Sequence, residues 1–204
     1  VTNEVDWQLQ QHLVQIARDV EVGFIKNTMV EPANNSTARK TAGLASVITT
    51  NVKNNADTTL DKDDVLDVMQ LCYDNGGLME GETRVLMVGS TQKRAVSEAF
   101  VNATDGYRWQ DSNVGGVNCQ SIETDFGKLN VMLNRHVPSD EAYVLSLEDL
   151  DVCFLEVPGK GHFFVEPLSK TGAADKYQIY GEIGLKYGNQ RKHGRLHNIG
   201  GYSS

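Results

Sequence analysis

Apolar positions between residues 4 and 26 recur at helical spacing. Leu9, Leu13, Ile16, Val20 and Phe24 form one stripe, with steps of four, three, four and four. Trp7, Val14, Val22 and Ile25 fall on nearly the opposite side, at about 100° per residue. A helix apolar on two opposed sides is wedged between two layers, within its own core or against a neighbouring molecule. The stripe containing Leu13 is the one expected in the core. The stripe of Trp7, Val14 and Ile25 is expected to stay exposed in an isolated copy.

From Val30 to Asn55 the chain is polar and irregular, with Pro32 and Asn34-Asn35-Ser36-Thr37 as breakers. A connection longer than the usual ~4–6 residues points to a contact role. A helix follows. Thr59 or Asp61 can cap it, Asp61, Asp63 and Asp64 suit the positive end of its dipole, and Gly76-Gly77 stops it. Its apolar face is Val65, Leu66, Met69, Cys72 and Tyr73. Arg84 to Val88 reads as a buried strand, and Ser90 or Thr91 caps a second helix whose inner face is Ala95, Val96, Ala99 and Phe100.

Beyond Tyr107 the period becomes two. Ser121 to Thr124 and Lys128 to Arg135 flank a hairpin turn at Asp125-Phe126-Gly127, and Glu141 to Leu147 and Val152 to Val157 are further strands. After the break at Pro158-Gly159-Lys160-Gly161, Tyr177 to Tyr187 is expected to form one long strand packing against the first helix. Tyr177, Ile179, Gly181, Ile183, Leu185 and Tyr187 lie on its apolar face, and Gln178, Tyr180, Glu182 and Lys186 on the other. Gly181 predicts a close approach by the first helix, with Gly184 and Gly188 on the opposite face. Helices and strands mix without a steady βαβ rhythm, so the fold class is α+β.

Composition narrows the function. With 40% hydrophobic and 23% charged residues the chain is an ordinary globular one. Its net charge of −8 argues against a protein whose main task is gripping nucleic acid, though small cations would still allow a container for it. Cys72, Cys119 and Cys153 have neither metal nor redox spacing, which suits small buried residues in a reducing compartment. No apolar run approaches the roughly 20 residues that cross a bilayer as a helix.

Several constellations invite chemistry and each has a plainer reading. His193, Arg195 and His197 would share a strand face, but basic residues among ligands repel a cation and no cysteine pair accompanies them. Val88-Gly89-Ser90-Thr91-Gln92-Lys93-Arg94 is a strand, turn and helix whose N-terminus could hold a phosphate, without the glycine spacing of a P-loop. Gly159-Lys160-Gly161-His162 is most simply a loop. No nucleophile elbow or cysteine signature points to acyl transfer. The pairs Asp63-Asp64 and Glu148-Asp149 belong to a helix start and a turn.

Four segments carry a longer resemblance: Asp6-Trp7-Gln8-Leu9, Ala38-Arg39-Lys40-Thr41-Ala42-Gly43-Leu44, Ile122-Glu123-Thr124-Asp125-Phe126-Gly127-Lys128-Leu129, and the run from Gly159 to Ile199. In order and wording they resemble the major capsid protein of tailed bacteriophages with the Hong Kong 97 fold, over most of the chain. The resemblance implies a compact capsomer-centre domain, residues 46–157, and an elongated peripheral domain, residues 1–45 and 158–204, with a long spine helix against long antiparallel strands. It implies a structural protein rather than an enzyme, with no catalytic residue, cofactor or metal. Copies would self-assemble as pentamers and hexamers into an icosahedral head around double-stranded DNA, without sequence-specific binding. Scaffold, portal and decoration proteins would be partners; no membrane would be. Localisation would be the virion, after synthesis in the bacterial host cytoplasm. The resemblance favours a neighbouring subunit as the cover for Trp7, Val14 and Ile25. The family's N-terminal arm and extended loop precede the spine, and the chain begins at Val1 on the spine, so both are expected to be missing from it. No Lys, Asn or Glu matches the cross-linking chemistry of some relatives. One rival shares the fold, an encapsulin shell around a cargo enzyme. The other is a small nucleotide-binding enzyme using Gly89 to Arg94.

Overall fold

The first amphipathic run folds as one helix, and the chain beyond it builds two sheets. The computed structural model describes residues 4–34, 36–79, 81–101, 109–114, 117–170, 172–173 and 175–201, with backbone alone at 101, 109–114 and 117–119. Val1, Asn35, Tyr107 and the Cys119 side chain, all singled out above, lie outside the described residues. In chain order the elements are α1 (Glu4–Lys26), α2 (Leu44–Val47), β1 (Val52–Asn54), α3 (Lys62–Asp74), β2 (Arg84–Val88), α4 (Ser90–Val101) and β3 (Trp109–Val114). There follow β4 (Val117–Thr124), β5 (Gly127–Leu133), β6 (Ala142–Ser146), β7 (Asp151–Leu155), β8 (Phe163–Leu168), β9 (Lys176–Lys186) and β10 (Gly194–His197).

Seven strands form a mixed sheet in the order β1-β10-β6-β2-β5-β4-β3, with β1 parallel to β10 and β2 parallel to β5. Alternation along β2 and β6 sends side chains to two cores. Leu86, Val88, Ala142 and Val144 meet α3 and α4, while Val85, Met87, Tyr143 and Leu145 meet Ile25, Leu44 and Ile48. Strands covered on both faces read as near-continuous apolar runs, as these two do.

Local signals mostly place the helices. Asp61 caps α3 in a reciprocal box: Asp64 N–H donates to its carboxylate at 2.9 Å, and Asp61 N–H donates to the Asp64 carboxylate at 3.0 Å. The buried set of α3 is Val65, Val68, Met69 and Cys72. Val68 thus takes the place expected for Leu66 and Tyr73, and Tyr73 packs at the rim against Phe126, ring centroids 5.9 Å apart. In α4, Ser90 is already helical rather than capping, and the Gly89 carbonyl accepts from Lys93 N–H at 2.9 Å.

The long strand expected from Tyr177 to Tyr187 is present as β9, and the last third adds β8 before it and β10 after it. The strand β9 pairs with β7 along its C-terminal half and with β8 along its N-terminal half, in a three-stranded antiparallel sheet. The two registers meet without a gap: Leu155 opposes Glu182, and Phe163 opposes Gly181. The Pro158-Gly159 break lies in the loop between β7 and β8, closed by Val157 N–H to Gly161 O at 3.0 Å. Strand pairing runs across the division expected at 46–157 and 158–204. β7 belongs with β8 and β9, while β10 returns to the seven-stranded sheet between β1 and β6.

Candidate intersubunit surface

Directly opposed residues of an antiparallel pair share a face. The register therefore puts Val152, Phe154, Phe163 and Val165 beside Leu185, Ile183, Gly181 and Ile179 on one face of the three-stranded sheet. The N-terminal half of α1 lies along only part of it. Val5, Leu9, His12 and Ile16 line an open groove of about 350 Å³ against Tyr177 and Ile179. The outer residues Val152, Phe154, Phe163 and Val165 remain 37% to 47% exposed. A contiguous apolar patch of this kind marks an interaction surface, because exposed apolar area in water is unfavourable until something covers it.

The opposite face of the sheet carries several paired charges. Lys160 pairs with Glu166 at 2.5 Å and sits over the Phe164 ring, 4.8 Å from its centroid. Phe164 and Tyr180 stack at 5.5 Å. Tyr180 hydroxyl donates to Glu182 at 2.6 Å, which raises the phenol's pKa, and Arg39 lies 3.9 Å from the same carboxylate.

On α1, Trp7 and Val14 are about half exposed, at 53% and 50%, but Ile25 is 3% exposed. Ile25 is packed with Leu44, Ile48, Val85 and Met87, so it leaves the candidate contact set. The reason lies in the end of the helix. Gly43, with no side chain, lets its backbone pass close to that of Gly23 to Asn27, and Gly23 and Ile25 are buried there. Conversely Leu13, expected in the core, is 45% exposed. What sequence reasoning missed is the outer face of β7 and β8. The signal was present as two short runs, Val-Cys-Phe-Leu and Phe-Phe-Val, apolar on both faces.

The other singled-out residues hold the fold. His193 precedes β10 and is buried. Its Nδ1 accepts Ser146 N–H at 3.3 Å and its Nε2 donates to Tyr187 O at 3.0 Å, so neither nitrogen is turned to a shared ligand site. Burial holds its pKa below the ordinary imidazole value. Arg195 donates to Ala45 O at 2.6 Å and pairs with Glu141, which also accepts from the Tyr143 hydroxyl. This network ties β6, β10 and α2 together, and burial followed by the Glu141 contact pushes the Tyr143 phenol far up. In the Gly89–Arg94 turn, Gln92 turns inward to Ser139 O at 2.6 Å, and Lys93 Nζ donates to Gln120 at 2.9 Å. No group of three His, Cys, Asp or Glu side chains converges among the described residues.

Residues 1–200 match the family model of the SU10 major capsid protein. Among curated proteins none matches the chain. Among solved structures, the chain is similar to the holo-SrpI encapsulin complex of Synechococcus elongatus PCC 7942. The TM-score is 0.71 at 11% identity, over 99% of this chain and 69% of that one. It is also similar to the procapsid of satellite phage P4 that includes the size determination protein. There the TM-score is 0.50 at 13% identity, over 96% and 68% of the two chains. At these identities the two structures speak for the shared fold.

Proposed function

The chain belongs to the SU10 major capsid protein family, and on that premise we propose how its surfaces build a shell. It is a major capsid protein with a structural role and a Hong Kong 97-type fold, and copies of it assemble into a closed shell in the virion. In our reading the part built on the seven-stranded sheet makes the ring contacts of pentamers and hexamers. The peripheral part, α1 with β7, β8 and β9, makes the lateral ones. Heterologous contacts close rings when the rotation permits, so one face meets a different face of the next copy. The head would be icosahedral and hold double-stranded DNA. It would need no catalytic activity, and scaffold, portal and decoration proteins would join it in the host cytoplasm. With a net charge of −8 the shell contains DNA by enclosure, with small cations screening the phosphates.

The observation that carries this reading is the apolar face of Val152, Phe154, Phe163 and Val165, left exposed, as are Trp7 and Val14 on the long helix. A stable interface buries roughly 1,200–2,000 Å², and covering this face supplies much of its apolar centre. Electron microscopy of the full-length protein tests it. Closed shells are expected from the parent, and Phe154→Lys with Val165→Lys should leave soluble, folded subunits that do not close. Shells unaffected by that pair would place the lateral contact elsewhere. The likeness to an encapsulin supports a second reading, a protein-storing compartment. Nuclease-protected DNA in purified particles favours the phage head, and a co-purifying enzyme favours the compartment.

A further inference from the structure

We propose that Asn75 is a modification site, a side-chain amide that the fold keeps from deamidating and that reacts once the end of α3 opens. Asn75-Gly76 is the one Asn-Gly pair in the sequence. The helix ends there in a Schellman motif. Gly76 N–H donates to Tyr73 O at 3.0 Å, and Gly77 N–H donates to Cys72 O at 2.8 Å. The turn holds residue 76 at a φ of +86°, which glycine adopts without steric cost. The same glycine leaves the peptide bond after Asn75 open to attack. It has no side chain to shield the nitrogen, and no atom of the surroundings lies within 4 Å of where a Cβ would stand.

The reaction is a ring closure. The Gly76 nitrogen bonds to Asn75 Cγ, the Cγ–Nδ2 bond breaks, and ammonia leaves with the proton from Gly76. Water then opens the imide at either carbonyl, giving aspartate or its β-linked isomer, so one water enters for each ammonia lost. In the folded subunit both reacting groups are held. Asn75 Nδ2 donates to Leu71 O at 2.9 Å and to Asn51 Oδ1 at 2.8 Å, and the Gly76 nitrogen is turned back to Tyr73. The product cannot rebuild this cap. A carboxylate at 75 has no hydrogen to give to those two oxygens, and it stands at the negative end of the helix dipole. Asn51 is fully buried, donates to Arg191 O and to His193 O, and accepts Arg195 N–H on its backbone carbonyl at 2.8 Å. The loss therefore passes from α3 to the start of β10. The site belongs to the single subunit and stands apart from shell formation.

Peptide mapping by mass spectrometry reads it in the full chain, aged in mildly alkaline buffer either as folded subunits or in urea. Aspartate and its isomer at position 75 should accumulate at least about tenfold more slowly in the folded subunits, because reaction waits on local opening. Equal rates overturn the proposal. Asn75→Asp supplies one product directly. Its amides in the last turn of α3 and in residues 190–197 should exchange about five- to tenfold faster than in the parent, with α4 unchanged. Parent-like exchange at those amides also overturns the proposal. If Asn75→Asp does not fold, the deamidated fraction that accrues in folded subunits, separated by its added negative charge, takes the same exchange test.

Discussion

The Phe163 ring lies over Gly181. The two are direct partners across β8 and β9, and a Cβ at Gly181 would come 2.6 Å from the ring. The glycine in the middle of the long strand therefore makes room for an aromatic ring from the neighbouring strand. The long helix, expected at this point, meets the sheet at Tyr177 and Ile179 instead. An aromatic ring laid over a strand glycine restores the packing that the missing side chain forfeits.

Gly181→Val should accordingly push Phe163 off the sheet. The ring is partly exposed and can swing, so the expected loss is about 1–3 kcal/mol. Lys186→Ala, at the exposed end of β9, should stay within about 0.5 kcal/mol. Urea midpoints of the two variants check the difference, and equal tolerance would count against the ring-over-glycine packing.

Gly43 is a stricter glycine. A Cβ there would lie 2.7 Å from Gly23 O, 2.8 Å from Asn27 N and 2.9 Å from Ile25 C, all backbone atoms that cannot step aside. Gly43 N–H also donates to Asn27 O at 2.7 Å, so the segment is held at that distance. Gly43→Ala should destabilise by about 2 kcal/mol or more, as overpacking against rigid neighbours does. Gly23→Ala meets only the movable Asn27 side chain. Because alanine is favoured inside a helix by roughly 0.5–1 kcal/mol, that change should be neutral or slightly stabilising. Thermal melts of the pair separate the two effects.

The two ends of α1 should respond oppositely to truncation. Ile25→Ala opens a cavity among Leu44, Ile48, Val85 and Met87 and should remove about 2–5 kcal/mol. Leu13→Ala touches an exposed position and should change subunit stability by less than about 1 kcal/mol. Denaturant titration of unassembled subunits is the check. A large loss from Leu13→Ala would restore the burial that its helical stripe suggests.

These contrasts show what was legible in the chain. Periodicity found α1, α3, β2 and the turn at Asp125-Phe126, because each rests on local spacing and local caps. The burial of Ile25 was hidden because it depends on a glycine eighteen residues later, Gly43, that lets two backbones meet. The return of β10 into the first sheet was equally invisible, since its partners Tyr143 and Val52 are distant in sequence. The candidate contact was half legible. Trp7 and Val14 stand out on a helical wheel, whereas Val152, Phe154, Phe163 and Val165 come together only through the register across β9.

His193 contributes to the acid sensitivity of the subunit. It is buried with a depressed pKa, chiefly by loss of hydration, and both ring nitrogens serve backbone groups: Nδ1 accepts from Ser146 and Nε2 donates to Tyr187. Protonation would place a proton on Nδ1 where an N–H already points, so the folded subunit holds the neutral ring. The unfolded chain binds that proton more readily, near the ordinary value of about 6.5. Stability is therefore complete above that pH and falls as pH drops through it, by up to about 1.4 kcal/mol per pH unit until the folded-state value is reached. Global unfolding measured from about pH 8 to about pH 5 should show this decline in the parent. A variant that replaces the ring without titrating, His193→Gln, should be less stable throughout but lose the His193 part of the slope. An unchanged slope in that variant would mean that some other group carries the acid sensitivity.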